Sequence, residues 1–269
     1  MSITVSRPGT DDVTAPVPAA LRGSGTVLLV GGFATPAVLL EPMRRWLARC
    51  GYDVVPVTLG AGMGCAGEAA DLLTGLIEDR AERTGRPVRL VAHSRGGQFA
   101  RAATARVPRR VAALVTLGTP FDLFGLSWPL LTAAATVSAL GSLGVPRLAR
   151  LECLVGPCCA RFRTSLRGPW PDGVAFTSVY SSTDRSVPAR ASQDPSARNV
   201  EVRGSHFGLL SGRGAQLATA RALARSGQGS APAVQEAVLR EDDETAEDHD
   251  DGHVEQGAPQ PLPRQQEVA

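Results

Sequence analysis

Lysine is absent from this chain: all 28 basic residues are arginine, and isoleucine occurs only at Ile3 and Ile77. GC-rich codon usage explains both gaps, so the arginines alone argue for no guanidinium chemistry. Histidine is scarce too, with four residues in 269, which restricts where an imidazole base could come from. An export signal is also missing. Met1 to Arg22 has no basic region followed by an apolar run and a small-residue cleavage site. Asp11 and Asp12 interrupt it and Pro8, Pro16 and Pro18 break any helix, so residues 1–22 read as a flexible leader. The longest uncharged stretch, Leu123 to Pro146, could span a bilayer as a helix. It contains Gly125, Pro129, Gly141 and Gly144 and much Ala, Ser and Thr, so it reads as a buried or lid helix and no stable membrane insertion is expected.

Five cysteines are present: Cys50, Cys65, Cys153, Cys158 and Cys159. An odd number without an export signal points to reduced thiols and a cytoplasmic protein. The group Cys153, Cys158 and Cys159 invites a zinc reading, but no Cys-x-x-Cys pair or nearby histidine completes a tetrahedral set. They read as small buried hydrophobes, and no metal is expected.

Hydrophobic residues make up 43% and charged residues 20%, which is ordinary globular usage. The net charge of +2 conceals an asymmetry. Residues 226–269 hold 11 Asp/Glu against only Arg240 and Arg264, leaving the body strongly basic. That body could suggest nucleic acid. Its arginines are scattered over most elements without an aromatic-interleaved basic run, so a solvated basic surface is expected and no nucleic-acid partner. The tail is polar, acidic and lacks a sustained apolar face, and reads as disordered.

Between leader and tail, strands and helices alternate. Thr26–Val30 is a fully apolar run ending in Gly31-Gly32, as expected of a central parallel strand. A helix follows with Leu39, Leu40, Met43, Trp46, Leu47 and Cys50 on one face, closed by Gly51. Strands are expected at Tyr52–Leu59, Val88–Ala92, Val111–Leu117, Val174–Ser181 and Asn199–Val202. A long helix with Ala69, Leu72, Leu73, Leu76, Ile77 and Ala81 on its apolar repeat is expected, stopped by Gly85 and Pro87, with further helices at about Gly96–Val107 and Gly212–Arg225. The pattern predicts an α/β domain over residues 23–225, with a mostly parallel six-stranded sheet flanked by helices. The rhythm breaks at about 121–172, which reads as an inserted helical cap.

The chemistry centres on Ala92-His93-Ser94-Arg95-Gly96-Gly97, between a predicted strand and a predicted helix. A serine at such a turn is exposed only if its neighbours are small; Ala92 stands where glycine is usual. A hydroxyl attacks only when a base takes its proton. His93 is expected to point away from the attacking face, and His249 and His253 lie in the tail. His206, in Gly204-Ser205-His206, is left. The third member must be a carboxylate that fixes the imidazole tautomer. Asp184 lies just beyond a predicted strand, with Asp122 as the main rival and Asp194 nearby. The order Ser94, Asp184, His206 suits this arrangement. Backbone amides of Arg95 and Phe33 are the expected oxyanion donors.

With these residues the chain resembles the α/β-hydrolase superfamily, particularly small bacterial lipases and esterases. Val27–Phe33 is similar to that family's oxyanion loop, with Gly31 where histidine is often found. Ala92–Gly96 is similar to its Ala-His-Ser-x-Gly elbow, and Thr116–Pro120 to the strand after the nucleophile helix. Asp184 and Gly204–His206 fall where its acid and base loops would be. The resemblance implies a cofactor-free hydrolase whose insertion caps the site. Its substrates would be small acyl esters, or acyl thioesters if it is a thioesterase or acyltransferase; a non-catalytic interaction protein is the remaining alternative. Phe121, Phe124 and Trp128 suggest an apolar acyl pocket or lid, the alternative being simple packing of the insertion on the core.

Overall fold

The computed structural model describes residues 16–121 and 126–226. Phe124 and Asp122 lie outside the described residues, as do most of the proposed leader and all of the tail beyond Ser226.

Six strands, β1 (Thr26–Val30), β2 (Asp53–Val57), β3 (Val88–His93), β4 (Val111–Leu117), β5 (Ala175–Tyr180) and β6 (Arg198–Glu201), form one sheet in the order β2-β1-β3-β4-β5-β6. Every pairing is parallel. The main helices are α1 (Ala37–Arg49), α2 (Ala66–Thr84), α3 (Arg95–Arg106) and α7 (Arg213–Arg225). The segment between β4 and β5 contributes α4 (Trp128–Ser142), α5 (Glu152–Val155) and α6 (Ala160–Arg167). Four of the expected strands differ from the observed ones by at most two residues at either end, and β1 and β4 agree at both.

The two faces follow from strand alternation. Leu28, Val30, Leu90, Leu114 and Phe176 point to one side and meet α2, α3 and α6. Val27, Leu29, Val91, Val115 and Val179 point to the other, against α1 and α7. All five residues of β1 are buried, which is why its sequence is continuously apolar rather than alternating. Helix α1 buries Leu40, Met43, Trp46 and Leu47, while α2 buries Leu73, Ile77 and Ala81. Leu39 and Leu72, counted on those apolar faces from spacing, are exposed at the margins of the stripes.

Two findings redraw the edges of the body. Val17 and Leu21 are buried in the same cluster as α1 and α7, so packing begins ahead of Gly23. The insertion is not all cap, because Phe162 and Leu166 of α6 belong to the cluster beneath α2 and α3. Helix α4, expected to be a buried or lid helix, buries only Ser138 and Gly141. Among the described residues, no helix is long and apolar enough to cross a membrane.

The chain runs from β1 to β2 on one side and returns through α2 to β3 on the other side of β1. The carboxyl ends of β1 and β3 therefore meet at a topological switch point, where crevices form in open α/β sheets.

Candidate active site

The turn between β3 and α3 carries Ser94 at φ 54° and ψ −131°. This is a strained conformation for a residue with a side chain and requires support from its surroundings. Support comes from three bonds: the Ser94 amide donates to the Leu117 carbonyl (2.8 Å), and its carbonyl accepts from the Gly97 amide (3.0 Å) and the Thr119 hydroxyl (2.9 Å). Space is the second requirement. A Cβ on Gly32 would lie 2.6 Å from the His93 carbonyl oxygen and 2.8 Å from the Ser94 Cβ. One on Gly96 would lie 2.6 Å from the Gly31 carbonyl oxygen. Glycine at 32 and 96 thus lets the loop after β1 press against the serine turn. Ala92 is fully buried in the core cluster of α2 and α3, so its methyl group is accommodated.

Ser94 Oγ lies 2.9 Å from His206 Nε2, and His206 Nδ1 lies 2.7 Å from Asp184 Oδ2. The carboxylate accepts the Nδ1 proton, which leaves the Nε2 lone pair facing the serine hydroxyl. Asp184 Oδ1 accepts the amides of Ser186 (2.7 Å) and Val187 (3.0 Å), and this holds the carboxylate in place. Burial raises the Asp184 pKa, but the His206 contact and these two amides outweigh it and hold the carboxyl below its usual value. All three residues are buried, and Ser94 is only 4% exposed. Asp194 is engaged elsewhere, paired with Arg101.

Sequence reasoning missed the part played by His93. Its ring packs against the His206 ring with centroids 4.7 Å apart. His93 Nε2–H donates to the His206 carbonyl (3.0 Å), so Nδ1 is unprotonated, and it has no partner among the described residues. Burial, reinforced by the neighbouring His206, takes the His93 pKa down to about 3. The only signal in the sequence was adjacency to Ser94.

This titration has a consequence for stability. The unfolded chain takes up a proton on His93 below about pH 6.5, while the folded chain does not until about 3, so stability falls as the pH drops through that window. His93→Gln keeps a donor for the His206 carbonyl but does not titrate. Urea unfolding at pH 7.5, 6 and 5 should show wild type losing about 1.4 kcal/mol per pH unit relative to the variant once well below 6.5. Equal pH slopes would refute this.

Arg95 opens α3, so its amide is one of the helix N-terminal groups without an intrahelical acceptor. A Cβ on Gly32 would lie 2.9 Å from that amide nitrogen, which places the Gly32–Phe33 backbone beside it. Phe121 packs edge-on against Phe176 (6.0 Å), as part of the core packing, and Trp128 is 78% exposed at the start of α4. The aromatic ring found beside the histidine is instead Phe207, 5.6 Å from His206 and 46% exposed. A cleft of about 460 Å³ lined by Arg22, Tyr52, Arg86 and Arg89 lies at the opposite, amino-terminal end of the strands, away from the serine. The cysteine group also departs from expectation: Cys159 is buried, but Cys153 is half-buried and Cys158 is exposed.

No protein-family model and no curated protein sequence matches the chain. Solved structures do. A mature lipase from Bacillus licheniformis aligns over 75% of this chain and 91% of its own, with TM-score 0.53 and 18% identity. A metagenomic carboxyl esterase aligns over 84% and 82%, with TM-score 0.55 and 17% identity. Tomato methylketone synthase I aligns over 77% and 99%, with TM-score 0.53 and 12% identity. The chain has the α/β-hydrolase fold. Because one fold hosts many reactions, the chemistry must be argued from the site.

Proposed function

We propose that this protein is a serine hydrolase that cleaves carboxylic esters through an acyl-enzyme on Ser94. The observation that carries the proposal is the unbroken relay from Ser94 Oγ to His206 Nε2 and from His206 Nδ1 to Asp184, at the carboxyl ends of the strands.

His206 takes the hydroxyl proton as Ser94 Oγ attacks the ester carbonyl carbon, and Asp184 stabilises the imidazolium that forms. The negative charge developing on the carbonyl oxygen is received by the backbone amides of Arg95 and Phe33. His206 then gives its proton to the departing alkoxide, which leaves as an alcohol. Water, deprotonated by the same imidazole, attacks the acyl-enzyme and frees the acid and Ser94. Phe207, half exposed against His206, supplies apolar surface at the mouth of the site. This reading places the substrate contacts at Phe207 rather than at Phe121 and Trp128.

p-Nitrophenyl esters and acyl thioesters of matched chain length discriminate between leaving groups. Turnover of the oxyester should exceed that of the thioester, and a fluorophosphonate probe should label Ser94. Faster thioester turnover would replace the esterase by a thioesterase. Failure to label Ser94 would leave a non-catalytic use of the fold.

A further inference from the structure

Four cysteines come together, one of them far in sequence from the other three. Cys65 precedes α2, while Cys153, Cys158 and Cys159 belong to α5 and the turn after it. Their four sulfur atoms all lie within 4.8 Å of one another. Cys65 and Cys159 are separated by 3.4 Å, and Cys153 and Cys158 by 3.7 Å. A zinc ion with four thiolates at about 2.3 Å has sulfur–sulfur edges of about 3.8 Å. We infer that Cys65, Cys153, Cys158 and Cys159 form a tetrahedral all-thiolate zinc site that fastens the insertion to the body of the protein.

The surroundings fit thiolate ligands. The Arg150 amide donates to Cys153 Sγ at 3.4 Å, and the amides of Gly67 and Glu68 face Cys65 Sγ. Four thiolates around a divalent ion leave a net charge of −2, and a cation is at hand. The Arg95 guanidinium interacts electrostatically with Cys159, Cys153 and Cys65 while donating to the Gly62 (2.5 Å) and Gly64 (3.3 Å) carbonyls. Arg163 gathers the other side of the loop by donating to the carbonyls of Cys153, Val155 and Gly156.

The backbone is shaped for this approach. A Cβ on Gly67 would lie 2.7 Å from the Cys158 carbonyl oxygen, so glycine there lets the loop rest on the first turn of α2. Few apolar side chains do that work in the loop, since Leu151, Leu154 and Val155 are exposed. Soft thiolates select zinc over magnesium or calcium, and a four-thiolate shell leaves no open position for water or substrate. The site is therefore structural. Binding replaces the thiol protons with the ion and releases them to solvent. The signal missed in the sequence was Cys65, which supplies the fourth ligand from the residue that precedes α2.

The full-length chain, expressed with zinc and purified with its thiols reduced and without chelator, should hold one zinc per molecule by elemental analysis, with four sulfur neighbours by X-ray absorption. Replacing zinc by Co²⁺ should give thiolate-to-metal charge-transfer bands. Cys158 is exposed, so Cys158→Ser should fold while releasing zinc to a competing chelator at least about 100-fold more readily. Cys50→Ser, buried in the other cluster, should leave zinc content unchanged. Folded protein with only background zinc would overturn the inference, as would iron in its place. Intact mass revealing Cys65–Cys159 and Cys153–Cys158 bonds would do so too, as would undiminished zinc retention in Cys158→Ser.

Discussion

Replacing Ser94 by alanine is expected to lower ester hydrolysis by about 10⁴-fold or more while leaving the urea midpoint nearly unchanged. The size of the loss follows from the relay acting as a unit: without the Oγ atom there is no nucleophile, and His206 has no proton to take. What survives is the electrostatic help of the backbone amides, which does not by itself form an acyl-enzyme. Stability should change by less than about 1 kcal/mol, because the lost oxygen bonds only His206 among the described residues, and alanine meets the same backbone requirement at φ 54°. Initial rates on a p-nitrophenyl ester, read beside the unfolding curve, test both halves. Activity within tenfold of wild type would remove Ser94 from the chemistry.

The largest expected effect on stability lies at Asp194. Its carboxylate and the Arg101 guanidinium are almost fully buried and meet at 2.8 Å. Arg101 also donates to the carbonyls of Ser165, Leu166 and Gly168, so this one side chain ties α3 to the end of α6, and it lies 5.8 Å from the centre of the Trp170 ring. Asp194→Ala would leave a buried cation without its counter-charge, at a cost of about 3–5 kcal/mol. The double variant Arg101→Met with Asp194→Leu should recover part of that, since it removes both buried charges, while the Leu166 carbonyl and the Ser196 amide each lose a partner. Urea unfolding of the single and double variants measures the difference. A single-variant loss below about 1 kcal/mol would mean that water reaches the site.

How much of this could be read from the sequence depended on the distance over which each signal acts. The strands were legible because burial on both faces writes a local apolar run, bounded by glycine or proline. That Ser94, His206 and Asp184 would meet was legible because the turn and loops carrying them follow the carboxyl ends of strands. Asp194, already less favoured because it is farther from a strand end, is paired with Arg101. The stacking of His93 on His206 and the meeting of Cys65 with Cys153, Cys158 and Cys159 were not legible. They join residues about ninety or more positions apart, and no local periodicity records such contacts. Spacing also overstated the widths of the apolar stripes at Leu39 and Leu72, since a helix on a twisted sheet covers less than its whole apolar arc.

The order of the strands puts β2 and β6 on the outside, and both make poor templates for another chain. Pro56 in β2 has no amide proton to offer an incoming strand. β6 has four residues and carries Arg198 and Glu201 at its two ends. Short, charged or proline-bearing borders are how parallel sheets avoid joining edge to edge into aggregates. The valines and leucines of the interior strands thus lie between two borders that offer an added strand little regular backbone pairing.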